Sequence, residues 1–398
     1  MRHPAPLLLA TLAALAIACE KKPPTPASSS PPTSQGTASV QAAPSDGDTL
    51  WVGQVGSLTG SEATFGLSAR NGITLALQEA NAAGGVKGKK LMLRSYDSQG
   101  RPEEAAQAAT RLITQDKVVV ILGEAASSNS MAMADKAQAA GVPMITPTST
   151  NPAVTQKGDY IFRVCFIDPF QGAVMAKFAR EHLHLNRVAV LQDNKSAYSV
   201  GLREVFNQKF TELGGTLVAT ASYSKGDTDF RAQLTELKQA RAEALFVPGY
   251  YTDVGLIARQ ARELGMKGPL LGTDGWDSDK LFELGGPALE GSYYSNHYAV
   301  DNPDPHLQEF ISQYKQAYHA VPDSVAALSY DAARLAIDAM KRAPDFSGSA
   351  IRDAIKATKD FPGVGGTINL DEHRDAVKQA VILKVEGGQA KFVTAVKP

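Results

Sequence analysis

Short apolar runs alternate with amphipathic segments along the chain from residue 49 onward. A run such as 118–123 lacks the polar alternation of a half-exposed strand, which is typical of strands buried on both faces of a parallel sheet. The segments between the runs carry apolar residues at helical spacing. The predicted strands are 50–57, 90–97, 118–123, 142–147, 162–166, 187–193, 216–224, 244–249 and 269–272. The predicted helices are 65–82, 102–115, 127–140, 171–184, 198–213, 230–240 and 254–264.

This order predicts an α/β fold with doubly wound parallel sheets. Because the alternation restarts after residue 166, we expect two similar lobes rather than one long sheet. The last hundred residues follow another pattern, with predicted helices at 305–319, 324–342 and 349–358. Strands are predicted there at 366–370, 380–385 and 391–396. A hairpin turn is expected at Glu386, Gly387 and Gly388.

The first 48 residues differ from the rest in composition. An apolar run at 7–18 follows Arg2 and stops at Cys19; it is too short to span a hydrocarbon core of ~30 Å and is typical of a signal peptide. Ala16 and Ala18 before Cys19 resemble a bacterial lipobox. We therefore expect residues 1–18 to be a lipoprotein signal peptide and Cys19 to be lipidated; an ordinary secretory signal with an incidental cysteine is the alternative. Residues 19–48, rich in Pro, Ser, Thr and Ala, predict a disordered tether.

Charge and cysteine content exclude several classes of function. The 40 Lys and Arg residues against 41 Asp and Glu give a formal net charge of −1, so nucleic acid is not an expected partner. Cys19 and Cys165 stand too far apart in the sequence for a disulfide framework or a CxxC metal site. Cys165 lies in an apolar strand and is expected to be a buried, unreactive thiol.

Enzyme and metal signatures are absent from the sequence. No GxSxG, HExxH, P-loop or GxGxxG motif occurs. The seven histidines are scattered and are expected at the surface. His182 and His184 are two residues apart and do not share a helix face, so they predict no metal pair. We therefore expect a binding protein that has no cofactor and no catalytic residue.

The candidate ligand-binding residues lie directly after the carboxyl ends of the predicted strands, where ligands of open α/β sheets bind. In the first series these ends carry hydroxyl groups and free backbone N–H groups, which suit a carboxylate, although a serine there can also be a plain helix cap. In the second series they carry tyrosines and an acid, which suit an ammonium group. Together they describe a site for an α-amino acid zwitterion. The strand ends that carry these groups are 123–130, 147–152, 193–198, 248–253 and 272–277.

Four sequence segments carry a family resemblance: GSLTG at 56–60, ANAAGGV at 80–86, PMITPTSTNP at 143–152 and FVPGYY at 246–251. Through them the chain resembles the periplasmic leucine/isoleucine/valine-binding proteins, the type I solute-binding components of branched-chain amino acid ABC transporters. The resemblance implies a type I periplasmic-binding-protein fold with two lobes joined by crossing hinge strands. Lobe 1 would comprise 49–166 and 297–370, and lobe 2 would comprise 167–296 and 371–398.

The resemblance also implies roles for individual residues. Ser127 matches the serine that binds the ligand carboxylate, and Ser149 and Thr150 match donors from the neighbouring strand end. Asp274 matches the acid that takes the α-ammonium group. The aromatic matches are Tyr198 and Tyr250, which would close over the ligand, and Phe65, which would contact its side chain.

Two positions depart from the family. Gly100 and Ala126 stand where some members have a disulfide, so that bridge is absent. Asp274 replaces a glutamate and is one methylene shorter, which predicts a ligand that sits deeper or is larger.

The implied partners are an amino acid ligand, an ABC permease in the inner membrane and the membrane itself through the lipid anchor. The chain would act as a monomeric, membrane-anchored periplasmic lipoprotein. Two alternatives remain open. One is a relative that binds an amide, urea or small organic acid. The other is a non-transport lipoprotein acting as a sensor or as a partner of cell-wall enzymes.

Overall fold

Two sheets organise residues 46–398, the part of the chain that the computed structural model describes. The first five strands are β1 (Thr49–Gly56), β2 (Lys90–Asp97), β3 (Val120–Leu122), β4 (Met144–Thr146) and β5 (Ile161–Arg163). They form one sheet in the order β2-β1-β3-β4-β5, with parallel pairing throughout. This sheet is the centre of the first lobe.

The second sheet combines parallel strands with a C-terminal hairpin. The remaining strands are β6 (Arg187–Asp193), β7 (Thr216–Tyr223), β8 (Ala244–Phe246), β9 (Leu270–Gly272), β10 (Tyr293–Asn296), β11 (Phe361–Gly363), β12 (Gly366–Ile368), β13 (Ala380–Glu386) and β14 (Gln389–Val396). The sheet order is β14-β13-β10-β9-β8-β6-β7, and β13 and β14 are its antiparallel members. Strands β11 and β12 pair only with each other. The second sheet is the centre of the second lobe.

Helices surround both sheets. They are α1 (Ala63–Ala82), α2 (Pro102–Thr114), α3 (Ser127–Ala140), α4 (Asp168–Lys177), α5 (Ala197–Glu212), α6 (Arg231–Gln239), α7 (Tyr251–Glu263), α8 (Asp279–Gly285), α9 (Pro305–Tyr318), α10 (Ser324–Arg342) and α11 (Gly348–Lys356). Helices α1, α9 and α10 contribute to one hydrophobic cluster with strands of the first sheet. The predicted α/β fold of doubly wound sheets is confirmed.

Three elements escaped prediction, and one of them is β11, which is only three residues long. Strand β10 has the sequence YYSN. Its two polar residues do not match the apolar pattern of a buried strand, yet its last three residues are buried between β9 and β13. Helix α8 is seven residues long, too short for a helical repeat to stand out. The predicted helix 171–184 begins earlier, at Asp168, and its regular α-helical part ends at Lys177. The residues after it, Phe178–His182, form a π-helical turn.

The predicted hairpin turn is confirmed at Gly387 and Gly388. Their φ angles are 61° and 73°, a conformation that glycine adopts without steric cost and that two-residue hairpin turns require. Another glycine permits close packing in the first lobe. A Cβ atom at Gly72 in α1 would lie 2.2 Å from the carbonyl oxygen of Ala326 in α10. The absence of a side chain therefore lets these two helices touch.

Three chain segments cross between the lobes, after β5, after β10 and before β13, and buried side chains join them. Arg163 is fully buried and its Nε lies 2.5 Å from Oδ1 of Asp375, which belongs to the third crossing. The same guanidinium donates to Thr155 Oγ1 at 2.9 Å. Cys165 lies beside this pair and is buried as expected, and burial raises the pKa of its thiol to about 12. The residue-level lobe boundaries stay a prediction.

The signal peptide at 1–18 and the lipidated Cys19 lie outside the described residues, as does most of the tether at 19–48. Within residues 46–398, no helix combines the length and the apolar character that a membrane span requires.

Candidate functional site

A cavity lies between the two lobes at the carboxyl ends of their strands. It encloses about 300 Å³, counting the part that opens to solvent. Four of the seven predicted site residues line it, and the first lobe adds small and hydroxylic side chains. The lining residues are Phe65, Ala125, Thr148, Tyr198, Tyr250, Asp274, Gly275, Ser324 and Val325.

Three aromatic rings form one wall of this cavity. The rings of Tyr198 and Tyr250 stack with centroids 5.1 Å apart and an interplanar angle of 6°. Phe65 approaches Tyr250 edge-on at 5.9 Å from the opposite lobe. Burial raises the pKa of both tyrosines well above the usual value, and the negative charge of Asp274 adds to this effect. The two hydroxyl groups are therefore neutral and can donate hydrogen bonds at physiological pH.

Asp274 begins a short 3-10 turn directly after β9, and two side chains hold its carboxylate. The Tyr198 hydroxyl donates to Oδ1 at 2.7 Å, and His297 Nε2 lies 3.0 Å from Oδ2. Because the single Tyr198 proton goes to Asp274, the Tyr198 oxygen accepts from Gly275 N at 2.9 Å and from the Thr273 hydroxyl at 2.7 Å. This network fixes a buried carboxylate at the edge of the cavity.

The three predicted first-lobe residues lie behind the cavity rather than on its lining. Ser127 Oγ accepts from Asn151 N at 3.3 Å. The Ser149 hydroxyl is within hydrogen-bond distance of the Ala125 carbonyl oxygen, at 3.0 Å. The hydroxyl of Thr150 is buried and lies near the carboxyl group of Asp168, whose pKa it lowers. Of the predicted residues, the structure thus brings Phe65, Tyr198, Tyr250 and Asp274 together and leaves Ser127, Ser149 and Thr150 at the adjacent strand ends.

The first lobe nevertheless offers an anion-binding end. Helix α3 starts at Ser127 directly beside the cavity-lining Ala125, and no side chain caps its N-terminus. The first backbone N–H groups of a helix have no partner within the helix and favour a negative charge. Thr148, which sequence reasoning did not select, lines the cavity and adds a hydroxyl group. A carboxylate bound here would face Asp274 across the cavity.

Two buried acids near the cavity are not among the predicted site residues. Glu124 accepts hydrogen bonds from the Ser57 and Ser98 hydroxyls at 2.9 and 2.7 Å and from Ala126 N at 2.7 Å. Asp168 is fully enclosed, and burial raises its pKa to about 7, with the charge of Asp274 acting in the same direction. No local sequence signal marks these residues, since their burial depends on how the lobes pack.

An ion pair joins the lobes at one side of the cavity. Lys225 Nζ, from the loop after β7, lies 2.7 Å from Oε1 of Glu62, just before α1, and it donates to the Gly100 carbonyl at 2.8 Å. Burial raises the pKa of Glu62 to about 7, and Lys225 opposes this effect. Lys225 is 32% exposed and Glu62 only 2%. The pair forms only when the lobes are together.

Further hydrogen bonds cross the cleft. The Thr64 and Ser278 hydroxyl oxygens are 3.1 Å apart, and Ser324 N donates to Oδ2 of Asp277 at 2.7 Å. Thr64 and Ser324 belong to the first lobe, and their partners belong to the second. The lobes are therefore closed against each other around the cavity.

His297 corrects the expectation that the histidines lie at the surface. His182 and His184 are exposed, but His297 is buried beside Asp274, in the crossing segment after the unpredicted strand β10. Burial lowers its pKa, against the opposing effect of the Asp274 carboxylate, so the imidazole is neutral at pH 7. Among residues 46–398, no cluster of three or more His, Cys, Asp or Glu side chains could hold a metal ion.

Comparisons with known proteins agree with this architecture. Residues 49–390 match the family described as periplasmic binding protein. The Leu/Ile/Val-binding protein homolog 3 of Brucella melitensis is 31% identical over 329 residues, which cover 82% of this chain and 88% of that protein.

Two solved structures share the fold at full length. The leucine-binding protein LivK of Thermotoga maritima has a TM-score of 0.84 and 40% identity, covering 88% of this chain and 99% of that one. The branched-chain amino acid binding protein LivJ of Streptococcus pneumoniae, solved in complex with isoleucine, also has a TM-score of 0.84, with 33% identity, and covers 88% of this chain and 100% of that one. The chain thus has the type I fold that the resemblance predicted, and it belongs to the periplasmic binding protein family.

Proposed function

We propose that this chain is the solute-binding component of an ABC transporter and that it captures a branched-chain or other apolar amino acid between its two lobes. The observation that carries the proposal is the position of Asp274. Its buried carboxylate lines the cavity beside two stacked tyrosines, and the uncapped N-terminus of α3 stands on the opposite lobe. An acid facing a helix N-terminus matches the two charges of an α-amino acid.

The mechanism would be non-covalent. The ligand carboxylate docks on the first lobe at the N-terminus of α3, where Ser127, Ser149 and Thr150 remain the predicted supporting residues. The lobes then close about the three crossing segments, and Tyr198, Tyr250 and Asp274 complete the site and exclude water. Phe65 and Val325 supply apolar surface for the ligand side chain. An inner-membrane permease would recognise the closed form.

The relatives support the same setting. The Brucella protein is named for leucine, isoleucine and valine, LivK is named for leucine, and LivJ was solved with isoleucine. Lipidation at Cys19 and a tether over 19–48 would keep the folded part near the membrane in the periplasm. The similar proteins are named for binding and match this chain over most of their length, which is consistent with a protein that binds its ligand without catalysing a reaction.

Isothermal titration with leucine, isoleucine, valine, benzoate and urea tests the proposal. We expect micromolar or tighter binding of at least one apolar amino acid. Asp274→Ala should weaken that binding by ~3–5 kcal/mol, because the α-ammonium would be left without a partner in a dry site. Asp301→Asn, at an exposed position, is the control and should bind like the wild type. Preferred binding of benzoate or urea, or unchanged amino acid affinity in Asp274→Ala, would overturn the zwitterion site.

A further inference from the structure

The carboxylate of Asp274 is held from behind by His297. The His297 side chain is fully buried and that of Asp274 is 6% exposed, with 3.0 Å between Nε2 and Oδ2. A carboxylate can only accept a hydrogen bond, so a neutral His297 must carry its proton on Nε2. Nδ1 is buried and has no hydrogen-bond partner among the described residues. Asp274 is therefore the sole polar contact that the structure gives this side chain.

The ring of His297 is itself fixed by the hinge. His297 follows β10 in the second crossing segment, and its ring stacks on Phe166 of the first crossing, with centroids 3.9 Å apart and an interplanar angle of 25°. Phe166 is buried. The imidazole thus connects the carboxylate at the edge of the cavity to two of the three segments about which the lobes move.

We propose that His297 is a positioning residue that holds the Asp274 carboxylate in the orientation needed to receive the α-ammonium group of an amino acid; this inference rests on the proposed function. Tyr198 holds one carboxylate oxygen and His297 the other, so the two donors set the plane of the group before a ligand arrives. Each oxygen retains a further acceptor direction for the ammonium. Fixing a binding group in advance reduces the ordering cost of association.

Two variants separate the hydrogen bond from the stacking. His297→Gln retains a side-chain N–H donor near the position of Nε2 but loses the aromatic ring. His297→Phe retains a ring to stack on Phe166 but cannot donate. If His297 positions Asp274, the Phe variant should bind the amino acid roughly 10- to 100-fold more weakly, the range expected for losing a hydrogen bond to a charged group. The Gln variant should stay within about threefold of the wild type, even where lost stacking reduces its thermal stability.

The experiment is calorimetric titration of wild-type, His297→Gln and His297→Phe protein with L-leucine, L-isoleucine and L-valine, together with thermal unfolding of each. Imidazole ¹⁵N NMR of the ligand-free protein adds a direct readout, with the His297 signal assigned by its loss in the Phe variant. We expect the neutral tautomer protonated on Nε2.

The outcomes distinguish the proposed amino acid binding from the positioning role of His297. Wild-type protein that binds none of the three amino acids would overturn the proposed function and the positioning role with it. Wild-type binding that His297→Phe leaves unchanged would overturn the positioning role alone. Affinities that fall equally in both variants, or an Nδ1-protonated tautomer, would also overturn it, because binding would then not depend on the donor at Nε2.

Discussion

Asp168 stands at the first position of α4, where the chain enters the second lobe, and its carboxyl group has no access to solvent. Gln171 Nε2 donates to Oδ1 at 3.1 Å, and the hydroxyl group of Thr150 lies near the carboxyl group and lowers its pKa. Among residues 46–398 no Lys or Arg forms an ion pair with this carboxyl group; the charge of Arg163 lowers its pKa and that of Asp274 raises it, and burial is the largest effect. We therefore expect Asp168→Asn to stabilise the protein at neutral and alkaline pH.

The magnitude follows from the pKa. Burial raises the pKa of Asp168 from 3.8 to about 7, and at about 1.4 kcal/mol per pKa unit this corresponds to about 4 kcal/mol. Because the folded-state pKa is the higher one, the carboxyl group is tolerated when protonated at low pH, and stability is lost as the pH rises towards and through about 7. Asparagine keeps an oxygen that can accept from Gln171 and carries no charge at any pH. The gain should approach ~4 kcal/mol at pH 8 and shrink to ~1 kcal/mol at pH 4.5.

Urea unfolding of wild type, Asp168→Asn and the exposed-site control Asp301→Asn at pH 4.5, 6 and 8 would measure this gain. Other buried acids also make the free energy of unfolding of the wild type depend on pH. The informative quantity is therefore the difference in this free energy between Asp168→Asn and wild type at each pH. A difference that does not grow between pH 4.5 and 8, or an equal change in Asp301→Asn, would refute the reasoning.

Three further predictions concern the ion pair of Lys225 with Glu62, the contact between α1 and α10, and the Cys165 thiol. Lys225→Met should weaken ligand binding by ~1–2 kcal/mol at pH 9, a value reduced by the partial exposure of Lys225. The loss should be smaller at pH 7, where Glu62 can take up a proton; titration calorimetry showing equal losses at both pH values would contradict this. Gly72→Ala should lower the free energy of unfolding by ~1–3 kcal/mol, because its Cβ would clash with the facing carbonyl of α10; Gly47→Ala, with open space around its Cβ, is the control. Cys165 should resist a thiol reagent at pH 8 until the protein is unfolded, and rapid labelling of the native protein would show that it is accessible.

The buried strands were predictable because a strand covered on both faces must be apolar along its whole length. The same rule explains why β10 was missed. Its residues Ser295 and Asn296 are buried with their side chains hydrogen-bonded: Ser295 Oγ donates to Gln171 Oε1 at 3.1 Å, and Asn296 Oδ1 accepts from the backbone N of His297 at 2.8 Å. Without this strand, His297 could not be placed at a strand end, where the other candidate residues were sought.

The sequence predicted those site residues that directly follow strands of one sheet, and it did not predict those that only the packing of the lobes brings together. Tyr198, Tyr250 and Asp274 follow strands of one sheet, so local sequence places them together. Glu62 and Lys225 lie on different lobes, and no spacing along the chain indicates that they meet. The orientation of side chains was also beyond the sequence, since Ser149 follows a strand as expected and yet turns its hydroxyl towards the backbone behind the cavity.

The contact between α1 and α10 has a consequence for biogenesis. Helix α10 contributes to the core over the first sheet but is synthesised after the whole parallel part of the second sheet. The strands β6 to β10, in contrast, are continuous in the chain. The second lobe can therefore begin to fold while the first still exposes an uncovered apolar surface, because contacts between distant residues form slowly and late. A chain truncated before α10 would present that surface permanently and should be a substrate for chaperones and proteases.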